Sequence, residues 1–244
     1  MIVRFTDFGL SGPYLGQITA VLLAEAPGVP VLDLFADAPA GEPMLAAYLL
    51  AAYADVFPAG CVFLCVVDPG VGSARAALAV EADGRWFVGP DNGLLQIVAR
   101  RAERLAIREI TWRPERLSAS FHGRDLFAPV TAMLARGGSP AGNSRALAEI
   151  AGNAWPDDLD QIVYIDHFGN AMTGLRASRL TSGTVLAVSG HDLSQRRTFS
   201  DTEPGEIFWY ENANGLAEIA VNLGRADIEL GITPGAQVTI HRPN

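Results

Sequence analysis

Residues 61–75, CVFLCVVDPGVGSAR, decide the fold. Cys61 to Val67 are seven consecutive apolar residues, three of them valine, a pattern that reads as a strand buried on both faces. The strand breaks at Asp68-Pro69-Gly70, and a glycine-rich turn then delivers Arg75. In open α/β sheets ligands bind beyond the carboxyl ends of the strands. A carboxylate and a guanidinium seven residues apart on such a loop are therefore well placed for chemistry. The same residues would also make an Asp-Pro-Gly turn closed by a surface ion pair.

Working outward, Ile2 to Thr6 predicts a short strand that breaks at Asp7-Phe8-Gly9, and a turn with Gly12, Pro13 and Gly16 leads into a helix over Tyr14 to Ala26. Val29 to Leu34 reads as a second strand, and the alanine- and leucine-rich Met44 to Val56 as a helix with Pro43 in its first turn. After the central run come a hairpin, Ala77–Glu81 and Trp86–Val88, turning at Asp83-Gly84. Pro90 to Gly93 opens a helix through Arg101. Arg108 to Trp112 is a further strand and Phe127 to Arg136 a further helix. This alternation predicts a mostly parallel sheet with covered faces. Residues 137–158, GGSPAGNSRALAEIAGNAWPDD, read as a linker around one short helix. Beyond it, strands at Gln161–Ile165, Thr184–Val188, Glu206–Tyr210, Leu216–Val221 and Gln237–His241 predict a small β-barrel or sandwich. The expectation is two domains, 1–154 and 155–244.

The 244 residues are 49 % hydrophobic and 18 % charged, a globular composition. A net charge of −9 argues against nucleic acid or an anionic membrane as partner, but leaves room for a cationic small molecule. No apolar run approaches the ~18 residues needed to span a bilayer, and Met1 leads straight into a strand without a signal peptide. Cys61 and Cys65 share a strand face about 13 Å apart at ~3.3 Å per residue, too far to bridge. Reduced core thiols place the protein in the cytoplasm.

Asp7 ends the first strand as Asp68 ends the central one, so in a parallel sheet both carboxylates emerge at one edge. An aspartate there can accept hydrogen bonds from both vicinal hydroxyls of a ribose, or cap the next helix. GLSGPYLG at 9–16 misses GxGxxG, GVGSAR at 70–75 lacks a third glycine, and no GxxxxGK[ST] occurs. A nucleoside without phosphates fits better than a dinucleotide or ATP. In Phe121-His122-Gly123-Arg124-Asp125, His122 sits on a strand-to-helix loop where an imidazole can enter a crevice, while Arg124 and Asp125 read as a local ion pair. In Asp166-His167-Phe168-Gly169-Asn170, Asp166 and Asn170 could grip an ammonium or carboxylate, or merely close an Asx turn. His191 and His241 read as surface residues. Phe208-Trp209-Tyr210 is either core or a base-stacking surface. Metal motifs of the HExxH, CxxC and DxDxDG types are absent, as is a GxSxG elbow.

Six blocks, TDFG at 6–9, VVDPGVGSAR at 66–75, FVGPDNGLL at 87–95, SFHGRDLFAPV at 120–130, IDHFGNAMTG at 165–174 and NANGLAEIAVN at 212–222, resemble the S-adenosyl-L-methionine (SAM) hydroxide adenosyltransferases. These are adenosine-forming SAM hydrolases related to the fluorinase and chlorinase. The resemblance implies a Rossmann-like N-terminal α/β domain, a C-terminal β-barrel domain, and a homotrimer with sites between one subunit's N-terminal domain and its neighbour's C-terminal domain. It implies SAM as substrate, adenosine and methionine as products, and neither metal nor organic cofactor. By resemblance the catalytic set falls on Asp68, Arg75 and His122, the ribose anchor on Asp7, and the methionine contacts on Asp166 and Asn170. The halogenases lack the Arg and His of this set and carry an extra loop for which residues 75–90 leave no room, which favours water over halide. The chain departs from the family at Gly12, commonly Asp, at Ile18-Thr19-Ala20, commonly MKG, and at Ala213, usually Ser. Two further readings stand beside this one: a halogenase-like substitution and, from the altered contacts at the methionine end, a SAM or adenosine binding module without turnover.

Overall fold

The apolar run at 61–67 becomes the strand on which the first half of the chain is hung. The computed structural model describes residues 1–242, which divide into two units, 1–155 and the part from Pro156 onward. In the first unit the order is β1 (Ile2–Thr6), α1 (Tyr14–Glu25), β2 (Val31–Phe35), α2 (Pro43–Tyr53), β3 (Val62–Val66), β4 (Ala77–Ala82), β5 (Arg85–Pro90), α3 (Gln96–Arg101), β6 (Leu105–Ile110), α4 (Ala128–Ala135) and β7 (Gly142–Ser144). They form one seven-stranded sheet in the order β2-β1-β3-β5-β4-β6-β7. Pairing is parallel from β2 through β1 and β3 to β5, and antiparallel from β5 through β4 and β6 to β7.

Every residue of β1 and β3 is buried, because both sheet faces are covered. On one face Ile2, Val62, Leu64 and Val66 pack with Ile18 and Leu22 of α1 and with Val130 of α4. Alternation sends Phe5 and Phe63 to the other face. There Phe5 meets Phe35 edge-on at 5.4 Å, Phe35 meets Tyr53 of α2 at 5.1 Å, and Phe63 stacks on Phe87 at 4.6 Å. Cys61 and Cys65 are buried and free. The register pairs Thr6 with Val66. Asp7 and Asp68 consequently leave the sheet at the same edge, and the Asp7 N–H donates to the Val66 carbonyl at 3.3 Å.

The stretch read as a linker from Gly137 is in large part built into this unit. β7 adds to the sheet edge beside β6, and Arg100 donates to the carbonyls of Trp155 at 2.6 Å and Asn153 at 2.9 Å. A strand of Gly-Asn-Ser has no β-branched or aromatic residue to announce it. The helix predicted from Pro90 starts later, at Gln96. The helix predicted from Phe127 starts at Ala128, after a wide turn over Gly123–Phe127.

The second unit holds β8 (Leu159–Ile165), β9 (Ala171–Arg176), β10 (Val185–Val188), β11 (His191–Ser194), β12 (Ile207–Glu211), β13 (Leu216–Val221), α5 (Ala226–Glu229) and β14 (Thr239–His241). They pair antiparallel in a three-stranded sheet, β11-β10-β14, and a four-stranded sheet, β12-β13-β9-β8. Among the described residues this pairing closes no barrel; beyond the two sheets there are only the isolated bridges Gln161–Gln237 and Gln195–Trp209. Strands β9 and β11 went unread in the sequence, the former carrying Gly174 and the latter a polar HDLS. Phe208 and Trp209 are core: both are fully buried, and the indole N–H of Trp209 donates to the Thr184 carbonyl at 3.2 Å. His191 and His241 are exposed. No helix among the described residues is long and apolar enough to cross a membrane.

The β3–β5 pairing depends on Gly89, where a Cβ would fall 2.4 Å from the Cys65 carbonyl oxygen. Backbone cannot yield there without parting the strands. Gly89→Ala is expected to lower stability by about 1–3 kcal/mol, measured by urea unfolding followed by circular dichroism.

Candidate active site

At the carboxyl edge of β1 and β3 a pocket of about 130 Å3 is lined by Asp7, Phe8, Gly41, Val66, Asp68, Val71, Phe121 and His122 among others. Asp68 begins the loop that follows β3, and the loop turns back to bring Arg75 against it. Arg75 Nε donates to Asp68 Oδ1 at 2.7 Å, and Arg75 Nη2 donates to Asp68 Oδ2. This is a fork-on-fork pair whose side chains are 8 % and 5 % exposed. The loop passes backbone against backbone over a second loop. Gly72, at φ +82°, would place a Cβ 2.4 Å from the Ala119 carbonyl oxygen. Only glycine allows that approach, and the second loop is the one that carries His122.

His122 is 8 % exposed, and its Nδ1 lies 3.2 Å from Arg75 Nη2. A guanidinium only donates, so Nδ1 is the acceptor and the ring proton sits on Nε2. Burial, and next the Arg75 charge, hold the His122 pKa below its ordinary value. The imidazole is neutral at pH 7. Asp7 moves the other way: burial raises its pKa, opposed by the Gly41 N–H that donates to Oδ2 at 3.0 Å, and the Asp68 charge raises it further.

The structure thus brings together four of the six residues singled out in the sequence: Asp7, Asp68, Arg75 and His122. An aromatic trio stands beside them. Phe8 meets Phe121 at 5.9 Å and Tyr14 at 6.0 Å, and Tyr14 meets Phe121 at 5.4 Å. Arg124 and Asp125 form the expected local pair, Nε to Oδ1 at 2.6 Å, and Arg124 also donates to Gln17 Oε1 at 2.8 Å. In α1, Thr19 donates to the Leu15 carbonyl and accepts from the buried Arg4, so this departure from the family motif serves the helix.

The other two residues, Asp166 and Asn170, lie in the second unit. Asp166 Oδ1 accepts from the Phe168 and Asn170 N–H groups at 2.9 and 2.8 Å, and Oδ2 accepts from Asn170 Nδ2 at 3.0 Å. Also in this unit, Glu218 of β13 is buried, accepts from the Tyr210 hydroxyl at 2.5 Å and from Asn212 Nδ2 at 2.7 Å, and has its pKa raised, chiefly by burial. Asn212 Oδ1 in turn accepts from the N–H groups of Asn214 and Leu216. This shapes the loop that carries the exposed Ala213. Sequence reading passed over Glu218 as one residue of a strand; its only signal is a carboxylate inside LAEIAV. His167 is exposed. Among the described residues no three His, Cys, Asp or Glu side chains gather as a metal-ligand set.

The buried ion pair sets a stability expectation. Removing Asp68 leaves the Arg75 charge uncompensated, so Asp68→Ala is expected to cost about 3–5 kcal/mol, read from the denaturant midpoint at unchanged slope.

Known proteins match this chain along nearly its whole length. A family profile described as the SAM hydroxide adenosyltransferase N-terminal domain matches residues 2–143, and one described as the C-terminal domain of the same family matches residues 160–239. An (R)-S-adenosyl-L-methionine hydrolase of Thermus thermophilus is 39 % identical, over 96 % of this chain and 97 % of its own. A protein of the same name from Salinispora arenicola is 37 % identical, over 96 % and 95 %. The crystal structure of an uncharacterized conserved protein from Thermotoga maritima superposes with a TM-score of 0.89 at 29 % identity, covering 99 % of this chain and all of that one.

Proposed function

The chain belongs to the SAM hydroxide adenosyltransferase family, and on that premise we propose that it hydrolyses S-adenosyl-L-methionine to adenosine and L-methionine by in-line attack of water or hydroxide on C5′. The observation that carries the reading is the contact of Arg75 Nη2 with His122 Nδ1 at 3.2 Å while Asp68 holds the guanidinium from behind. The sulfonium makes methionine a neutral leaving group, so departure needs no general acid. What the reaction lacks is a nucleophile, since water has a pKa near ~15.7. The Nε2–H of His122, whose other ring nitrogen is held by Arg75, presents a donor to that oxygen atom. Donors without a competing acceptor favour hydroxide over water, and the nearby positive charge strengthens that preference in a dry pocket. Asp68 fixes the plane and direction of Arg75. Asp7 accepts from the ribose hydroxyls and keeps oxygen, C5′ and sulfur on one line. The products are adenosine, methionine and a proton.

Asp166 and Asn170 receive the amino-acid end in this reading. Three of about four acceptor positions on Asp166 are used within its own loop, leaving one for an ammonium. Ala213 offers no hydroxyl to assist. A homotrimer goes with the proposal. The pocket of about 130 Å3 in the first unit is smaller than the ~300–1,000 Å3 of ligand sites, and a neighbouring copy would supply the missing wall. Light scattering should return three times the mass of the chain. Two free buried thiols support a cytoplasmic setting.

Purified protein incubated with SAM should accumulate adenosine linearly on HPLC. Binding without product would favour the turnover-free module, and a chloride-dependent 5′-chloro product the halogenase. Arg75→Lys and His122→Ala should lower kcat roughly 100- to 1,000-fold while adenosine binding, followed by calorimetry, persists. Full turnover in either variant would remove it from the nucleophile-holding pair.

The pH dependence has a defined sign. The His122 pKa lies below its ordinary ~6.5, so the working neutral form persists as pH falls past that value and is lost only lower down. The acid limb of kcat/KM should have its midpoint below about 6.5, and a midpoint above it would contradict a His122 held neutral by burial and by Arg75.

A further inference from the structure

The wide turn between His122 and α4 has no part in the reaction as described so far. Gly123–Phe127 is a single π-turn, closed by the Ala128 N–H donating to the Gly123 carbonyl. Its cause in the sequence is Pro129. Proline has no N–H for the Asp125 carbonyl, and in a regular α-turn its ring would collide with that carbonyl. Widening the preceding turn relieves the collision. It also changes which side chains face the same way. On a 3.6-residue period, positions five apart point about 140° from one another. An i→i+5 turn narrows that angle.

His122 and Phe127 are such a pair, and both meet Arg75. The imidazole Nδ1 lies 3.2 Å from Nη2, and the Phe127 ring centroid lies 5.3 Å from Cζ. Phe127 is fully buried, and the Arg75 side chain is 8 % exposed. Asp68 and His122 therefore hold the guanidinium by hydrogen bonds, and its central carbon lies over an aromatic ring. A negative ring face is an attractive neighbour for a desolvated cation.

We propose that Phe127 is a positioning residue whose ring face holds the plane of the Arg75 guanidinium, so that Nη2 stays on His122 Nδ1 and the imidazole keeps its Nε2–H free to donate. The proposal rests on the hydrolase reading of the site. It goes beyond it in giving a buried apolar residue, remote from the substrate, control over the nucleophile. A leucine would fill most of the same volume, but it has no ring face to set the orientation of a cation.

The test replaces Phe127 site-specifically with phenylalanines carrying one, two and three ring fluorines, which drain the ring face at nearly constant shape. Phe127→Leu and Phe127→Tyr run alongside. With SAM as substrate, kcat should fall stepwise with fluorine count, reaching roughly ten-fold at three. KM should stay within about two-fold, and the thermal midpoint should barely move. Phe127→Tyr, which keeps the face, should restore most of the rate lost in Phe127→Leu. A second readout is the NMR titration of the His122 imidazole. The charges acting on it are Arg75 and Arg113, which lower its pKa, and Asp68 and Asp125, which raise it. As Arg75 disengages, the titration midpoint and the acid limb of kcat/KM should both move to higher pH. If kcat and the His122 midpoint are independent of fluorine count, Phe127 is core packing and nothing more. If the unmodified enzyme makes no adenosine from SAM, the hydrolase reading falls instead, and the imidazole titration alone decides whether Phe127 positions Arg75.

Discussion

A carboxylate and a guanidinium, each all but sealed from water, face one another where the central strand ends. Taking either charge out of water costs several kcal/mol, and the cost is offset only when geometry is good and every remaining donor finds a partner. The Asp68–Arg75 pair meets that condition by having both carboxylate oxygens engaged, a third contact to His122, and an aromatic ring against the guanidinium carbon. Much else in the first unit serves this arrangement. The parallel register of β1 on β3 delivers Asp7 beside Asp68. The bare backbone at Gly72 lets the loop after β3 lie on the loop that carries His122. Disturb the pair and two loops lose their common anchor.

The charges lining the pocket and just behind it sum to a preference. Asp7 and Asp68 are carboxylates, Arg75 is a cation, and His122 is held neutral by burial and by Arg75. One negative charge is left over, in a chain whose net charge is itself −9. A sulfonium nucleoside is a cation, so the local field and the field of the whole molecule attract it in the same sense.

How far the sequence revealed this depends on the kind of signal each part left. The strand at 61–67 was legible because a fully buried parallel strand has no polar face to blur it. Asp68 and Arg75 were legible because charged residues abruptly end an apolar run. The FHGRD loop was visible as a polar island between a strand and a helix. Phe127 was not, because an aromatic at the start of an apolar helix reads as core, and the π-turn that aims it arises from Pro129, which reads equally well as an ordinary first-turn proline. β7 escaped because an edge strand with partners on one side tolerates Gly-Asn-Ser. Residues 145–155 escaped because their attachments run to residues distant in the sequence: Arg100 gathers their carbonyls and Arg145 pairs with Glu109. Glu218 was hidden by its apolar neighbours, and its meaning lies in Tyr210 and Asn212, whose contact with it no linear pattern announces.

The hydrogen-bond chemistry of arginine carries the mechanistic argument one step further. Because a guanidinium can only donate, its contact with His122 consumes the single lone pair of the neutral imidazole. The ring cannot then serve as a base toward the substrate side, and what it offers there is the Nε2–H. Arg75 therefore leaves His122 a donor, and no acceptor, on its free side. In the proposed reaction such a donor would not pull a proton from water; it would lower the energy of the oxygen that has already lost one. A lysine in place of Arg75 could supply charge but not the fork that binds Asp68 with two bonds and still reaches Nδ1. The planar, permanently charged side chain is thus the part of the site least open to substitution, and the strand, the glycine-rich turn and the widened helical turn can be understood as the means of holding it still.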